Sequence, residues 1–172
     1  MMLNLTQKNP LIFVYLLAFF LTLHIAVPVY ITSSFLGTLI NPEKVGLLYA
    51  LASLVSIIAL YFIPRILRLV GDFRATLIFL SLEVAVFFGL AFLKDPVLLI
   101  TLFVAHFVLA SLISFDLDLI IESFTRNNAT GSVRGVYLTF ANVAWVLSPI
   151  LAAGILTGDD YWRVFLAAAF LL

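Results

Sequence analysis

The sequence predicts an all-α membrane protein, a polytopic helical bundle, and three observations indicate this class. Of its 172 residues, 65% are hydrophobic and only 10% are charged, whereas soluble domains average about 45–50% apolar and about 25% charged residues. The apolar residues form five long runs, each near the ~20 residues that a helix needs to cross a bilayer. The runs lack a two-residue alternation, which favours helices over the strands of a transmembrane barrel.

Charged and turn-forming residues divide the chain into membrane spans. The connections are short and contain turn dipeptides such as Asn41-Pro42 and Gly71-Asp72. No linker or change in composition interrupts the chain, so we predict a single transmembrane domain over residues 1–172. The sixth apolar run reaches Leu172 without a cap, and we expect the chain to stop inside that helix. The predicted helices cover about 11–36, 45–67, 75–93, 97–121 and 135–156, with an incomplete sixth at 162–172.

The distribution of basic residues predicts the orientation in the membrane. Cytoplasmic loops carry an excess of Lys and Arg. Alternate ends of the predicted spans place six basic residues on the side of the N-terminus and three on the other side. We therefore expect a multi-pass protein of the inner, cytoplasmic membrane of the cell, with a cytoplasmic N-terminus. The six are Lys8, Arg65, Arg68, Arg74, Arg126 and Arg134, and the three are Lys44, Lys94 and Arg163.

Composition and missing motifs argue against several other classes of protein. Nine basic and nine acidic residues cancel, so no net field attracts nucleic acid. The absence of cysteine excludes disulfides and thiolate metal sites. No phosphate-binding loop or H-E-x-x-H motif occurs, and His24 and His106 have no Asp or Cys nearby at metal-ligand spacing. We expect no enzymatic activity, no cofactor, no metal site and no nucleic-acid partner.

Local motifs give a more specific indication. The stretch Glu43–Tyr49 contains a polar pair followed by Val-Gly and an apolar run. The stretch Pro64–Arg74 lies where a basic, glycine-bearing loop signature would fall, although Pro64 and Arg68 replace its first glycine and its acidic residue. Tyr161–Phe165 contains W-R-x-x-F. Together these motifs resemble the N-terminal six-helix half of the major facilitator superfamily of transporters.

The predicted fifth span extends this resemblance. Its residues fit the antiporter pattern G-x-x-x-G-P-x-x-G-G, with Ala or Ser in place of each Gly, and Gly154 follows the pattern. The small residues and the proline are typical of a close helix contact with a bend that helps the helices to rock. The structural alternative is that they serve only helix packing. The residues concerned are Ala144, Ser148, Pro149, Ala152 and Ala153.

Membership of this superfamily implies transport of a small solute by alternating access, driven by an ion gradient. The expected ion is H⁺, and the fifth-span pattern favours efflux or antiport. Complete members have two six-helix halves, so the expected partners are the lipid bilayer, the solute, H⁺ and a missing C-terminal half or a second half-size chain. The alternative is a non-transporting truncated or half-size membrane protein, acting as a scaffold or surviving as a remnant.

Three ionisable residues lie deep within predicted spans: His24, Glu83 and His106. Such groups are expensive in a membrane, and imidazoles and carboxyl groups are the ones used in proton relays. They are therefore candidates for a proton or substrate pathway. The resemblance places the two histidines on cavity-lining helices and Glu83 on a supporting helix. Alternatively, each histidine only bonds a neighbouring helix, and Glu83 stays protonated against a serine or a histidine.

A second group of charges is predicted at the side of the N-terminus. The polar residues at the end of the fourth span lie on one stripe and share that side with the arginines of the second loop. In related transporters such a charge cluster latches one conformation, whereas the alternative is a set of solvated interface residues. The candidates for this gating cluster are Arg65, Arg68, Gly71, Asp72, Arg74, Asp118 and Glu122.

Overall fold

The computed structural model describes residues 8–124 and 130–172, with side chains described from 12 to 123 and from 131 to 172. Within these residues every regular element is helical, which confirms the prediction of an all-α bundle. Arg126, which contributed to the predicted orientation, lies outside the described residues. The helices are α1 (Lys8–Leu39), α2 (Val45–Val70), α3 (Asp72–Phe92), α4 (Pro96–Phe124), α5 (Thr130–Ile155) and α6 (Tyr161–Phe170), with a 3₁₀ turn at Pro42–Lys44.

Five of the helices, α1 to α5, are long and apolar enough to cross a membrane. The sixth, α6, has 10 residues. The chain is therefore a multi-pass membrane protein. Several helices extend beyond the predicted spans, because their polar ends continue the helix after the apolar run has stopped.

The junction between α2 and α3 depends on one glycine. Gly71 has φ 86° and ψ 144°, a backbone conformation that residues with a Cβ rarely adopt. Its N–H donates to Leu67 O (2.8 Å), and its own carbonyl accepts from Ala75 N (3.0 Å). The same residue thus closes α2 and opens α3, so a single residue separates the two helices.

The helices differ in how much of their surface is covered by the bundle. In the most apolar window of each helix, 44% of the residues of α1 and α3 are buried, against 22% for α2 and 17% for α5. The helix α3 packs against α4 and α6, α1 packs against α5 and α6, and α2 packs mainly against α4. The centre of the bundle is therefore formed by α1, α3, α4 and α6, and α2 and α5 flank it.

The small residues of α5 lie at its contact with α1. Ala144, Ser148 and Ala152 are buried, and α1 is the main neighbour of α5. The Ser148 hydroxyl donates to Ala144 O (2.7 Å), so its polar group does not obstruct the approach of α1. Pro149 and Gly154 are exposed. These positions support the packing role, and a bend used for rocking stays a prediction.

We expect that Ala144→Leu destabilises the α1–α5 contact. Ala144 has no exposed surface, and extra methylene groups in a closely packed contact typically cost about 1–3 kcal/mol. The measurement is the thermal unfolding midpoint of the purified protein in detergent. The matched control is Val143→Leu, because Val143 is exposed on the same helix. Equal midpoints for the two variants would contradict a packing role for Ala144.

Candidate functional site

The three deep ionisable residues meet in one cluster between helices α1, α3 and α4. His24 Nε2 lies 3.2 Å from Glu83 Oε1, and His106 Nδ1 lies 2.6 Å from the same oxygen. His24 and Glu83 have no exposed surface, and His106 is 9% exposed. We call these three residues the His–Glu–His cluster. Sequence reasoning singled out each of them by its depth, and the tertiary structure brings them into contact.

The short helix α6 orients the cluster. His24 Nδ1 lies 2.8 Å from the backbone oxygen of Ala168. A carbonyl oxygen only accepts hydrogen bonds, so Nδ1 carries a hydrogen and donates it to Ala168. This bond sets the orientation of the His24 ring and leaves Nε2 facing Glu83. Four helices thus meet at the cluster.

Aromatic side chains enclose the cluster. The Phe87 ring centroid lies 4.2 Å from that of His24 and 4.8 Å from that of His106. Phe87 also contacts Phe165 of α6, and both phenylalanines are buried. These rings keep water away from the polar atoms, and hydrogen bonds between those atoms are electrostatically stronger in such surroundings than in water.

The hydrogen bonds determine how many protons the cluster holds. One proton is on His24 Nδ1, and each of the two contacts to Glu83 Oε1 needs one more, which makes three. Two neutral histidines and an ionised glutamate carry only two. The third proton lies between His24 and Glu83, either on His24 Nε2 or on Glu83 Oε1. With this proton the cluster has no net charge. This assignment follows from the hydrogen-bond network.

Removal of the third proton changes both the charge and the contacts of the cluster. It leaves a net negative charge in a buried site, where an unpaired charge is costly. It also leaves the lone pair of His24 Nε2 facing the carboxylate oxygen 3.2 Å away. The other oxygen, Glu83 Oε2, has no hydrogen-bond partner among the described residues. The His24–Glu83 contact between α1 and α3 therefore depends on the third proton.

The cluster also contains a set of metal-binding atoms. One donor atom from each residue lies within 4.8 Å of the others, and two imidazoles with a carboxylate are a common zinc-binding set. Two ligands of one tetrahedral zinc ion, however, lie about 3.3 Å apart, and His106 Nδ1 is 2.6 Å from Glu83 Oε1. The present geometry is that of a hydrogen-bonded cluster. Spacing along the sequence did not reveal this set, because the residues lie on three different helices.

The predicted gating residues share one end of the bundle. Asp118 pairs with Arg134 at 3.3 Å, and both side chains are about half exposed. Arg68 Nε donates to Pro64 O within α2 (3.1 Å). In this structure the partner of Asp118 is thus Arg134 and not an arginine of the second loop. A latch at this end stays a prediction. The exposed residues there include Arg65, Arg68, Gly71, Asp72, Arg74 and Glu122.

One buried carboxyl group was not among the predicted site residues. Asp116 of α4 has no exposed surface, and its Oδ2 lies 2.6 Å from Thr76 Oγ1 of α3. The sequence contained a signal for it, since His106, Leu109, Ile113 and Asp116 follow the three- and four-residue spacing of one buried helix face. Sequence reasoning gave weight to the half-exposed Asp118 instead.

Comparison with known proteins gives no relative. No family model, no curated protein and no solved structure matches the chain. The fold and the site therefore define a class only. The protein is a multi-pass membrane protein of the all-α class with a buried His–Glu–His cluster at the junction of four helices.

We expect Glu83→Leu to lower the stability of the protein. Among the described residues, Glu83 is the partner that both His24 Nε2 and His106 Nδ1 lose in this variant, and each buried polar group left without a partner costs about 1–3 kcal/mol. The thermal unfolding midpoint in detergent is the measurement. Ser81→Leu is the matched control, because Ser81 is exposed on the same helix. A midpoint for Glu83→Leu equal to that of Ser81→Leu would show that the bonds to Glu83 contribute nothing.

Proposed function

We propose that the chain is part of a proton-coupled secondary transporter that moves a small solute across the inner membrane by alternating access. The observation that carries this proposal is the His–Glu–His cluster. It is buried, it joins α1, α3, α4 and α6, and it holds one proton more than two neutral histidines and an ionised glutamate would.

The free-energy cost of placing three ionisable side chains inside the membrane favours a functional role for the cluster over a purely structural one. Ionisable side chains within membrane spans are costly and usually belong to ion or substrate pathways. Apolar side chains would hold four helices together without that cost. A ligand shifts a conformational equilibrium when it binds one state better than the other. The proton meets this condition, because its loss would break the His24–Glu83 contact between α1 and α3.

The sequence motifs support the transport class and its partners. They resemble the N-terminal half of the major facilitator superfamily, in which the two halves rock about a site between them. Under this proposal the flanking helices α2 and α5, which the bundle leaves mostly exposed, face lipid and the second half or a second half-size chain. The basic end of the bundle, with Arg65, Arg68, Arg74 and Arg134, lies in the cytoplasm, and the fifth-span pattern favours export.

We expect Glu83→Gln to abolish proton-coupled flux while solute exchange is retained. A glutamine has the size of glutamate and, like the protonated form of Glu83, carries no charge. Its carbonyl oxygen can accept from His106 at the position of Oε1, but the side chain cannot release a proton. The full-length protein is tested in inside-out vesicles with a fluorescent pH probe. Amino acids, sugars and ethidium are added in turn, and dissipation of the proton gradient is recorded together with counterflow of the same solute.

The control for this experiment is Asp159→Asn, which removes an exposed carboxyl group between α5 and α6. We expect this variant to behave like the wild type. If no compound of the panel dissipates the gradient in the wild type, or if Glu83→Gln retains full coupling, proton-coupled transport is wrong. A non-transporting scaffold with a structural cluster would then be the better interpretation.

A further inference from the structure

A second buried carboxyl group lies on the same two helices as Glu83 and His106. Asp116 is fully buried, and none of the ion pairs found in the described part of the chain includes it. Its Oδ2 lies 2.6 Å from Thr76 Oγ1. Its Oδ1 has no hydrogen-bond partner among the described residues. The proposed transport mechanism as described above assigns no role to Asp116.

The Thr76 hydroxyl indicates the protonation state of Asp116. The hydroxyl lies within hydrogen-bond distance of Asp72 O (2.9 Å) and of Asp116 Oδ2 (2.6 Å), yet it has a single hydrogen to donate. Both bonds form if Asp116 carries a proton on Oδ2 and donates it to Thr76. If Asp116 were ionised, the Thr76 hydroxyl could form only one of these two hydrogen bonds. The site would then also contain a buried charge and a carboxylate oxygen without a partner, which is costly.

A surface cavity opens close to Asp116 at the basic end of the bundle. This cavity of about 470 Å³ is lined by residues that include Asp72, Arg74, Ile120 and Ser123. Asp72 lies one helical turn from Thr76, and Ile120 lies one turn from Asp116. Among the described residues, the other charged groups at this end are Arg65 and Arg68 of α2, Asp118 and Glu122 of α4 and Arg134 of α5. A proton leaving Asp116 therefore has only about one turn of protein to cross.

An apolar layer lies between Asp116 and the His–Glu–His cluster. On α3 the buried residue between Thr76 and Glu83 is Phe79, and on α4 the corresponding residues between His106 and Asp116 include Leu109 and Ile113. The helical rise gives a separation of about 10 Å along α3 and about 15 Å along α4. No direct proton transfer spans such a gap, so this conformation keeps the two carboxyl groups apart.

We propose that Asp116, held by Thr76, is a second proton-binding site, through which the cluster exchanges protons with the water at the basic end when the layer of Phe79, Leu109 and Ile113 opens. This inference rests on the proposed proton-coupled function and extends it, because it names the route by which the proton reaches one side of the membrane. The closed layer separates the two sites between turnovers and so prevents a proton leak.

Infrared spectroscopy of the full-length protein in lipid tests the binding site directly. A protonated carboxyl group gives a carbonyl stretch distinct from that of a carboxylate. We expect the wild type to show such a band that disappears in Asp116→Asn and persists in Glu83→Gln. The variant Thr76→Val keeps the carboxyl group but removes its hydrogen-bond partner, so the band should persist at a shifted frequency. Retention of every wild-type band in Asp116→Asn, or no shift in Thr76→Val, overturns the assignment.

Flux in the vesicle assay tests the exchange role. We expect Asp116→Asn to slow proton-coupled flux on the order of a hundredfold, as is typical for the loss of a positioned proton-transfer group, while counterflow is unchanged. Phe79→Ala should admit protons without solute, whereas the exposed Phe73→Ala should not. Wild-type flux that depends on Glu83 but not on Asp116 overturns this inference and leaves the proposed function intact. Absence of flux in the wild type overturns both, even if the Asp116 band is found.

Discussion

The bundle is organised around the requirement that a carboxyl group deep in a membrane must be hydrogen-bonded and must leave no unpaired charge. Glu83 meets this requirement with one imidazole from α1 and one from α4, and the bond from His24 to Ala168 adds α6. Helices in lipid lack the hydrophobic driving force that water supplies, so packing and hydrogen bonds between helices determine which of them associate. The central position of these four helices is consistent with this dependence.

The same requirement recurs at Asp116, with a different solution. Glu83 shares a proton with nitrogen atoms, whereas Asp116 depends on a single hydroxyl from Thr76. Glu83 lies inside the bundle behind Phe87, and Asp116 lies one helical turn from a residue that lines a surface cavity. Under the proposed transport, the apolar layer between the two carboxyl groups would prevent a proton leak, since an open path between them would let protons cross without solute.

The sequence predicted much of the fold and the members of the central site, but not their contacts. Long apolar runs are sufficient to predict the membrane-spanning helices. Depth within a run is sufficient to identify His24, Glu83 and His106 as ionisable residues that are costly to place in the membrane. Which of them meet depends on the rotation of each helix about its axis, and the weak amphipathicity of membrane helices records that rotation poorly. The same reason explains why Asp118 was expected near the second loop and instead pairs with Arg134.

The amino-acid sequence by itself determined that this chain forms membrane-spanning helices, because burial of backbone groups in lipid allows few other structures for such apolar runs. The tertiary structure alone decided that two histidines from separate helices meet at one oxygen of Glu83, that α6 orients His24, and that Asp116 is buried. Those outcomes depend on distances of about 3 Å between side chains on different helices, and spacing along one chain does not encode such distances.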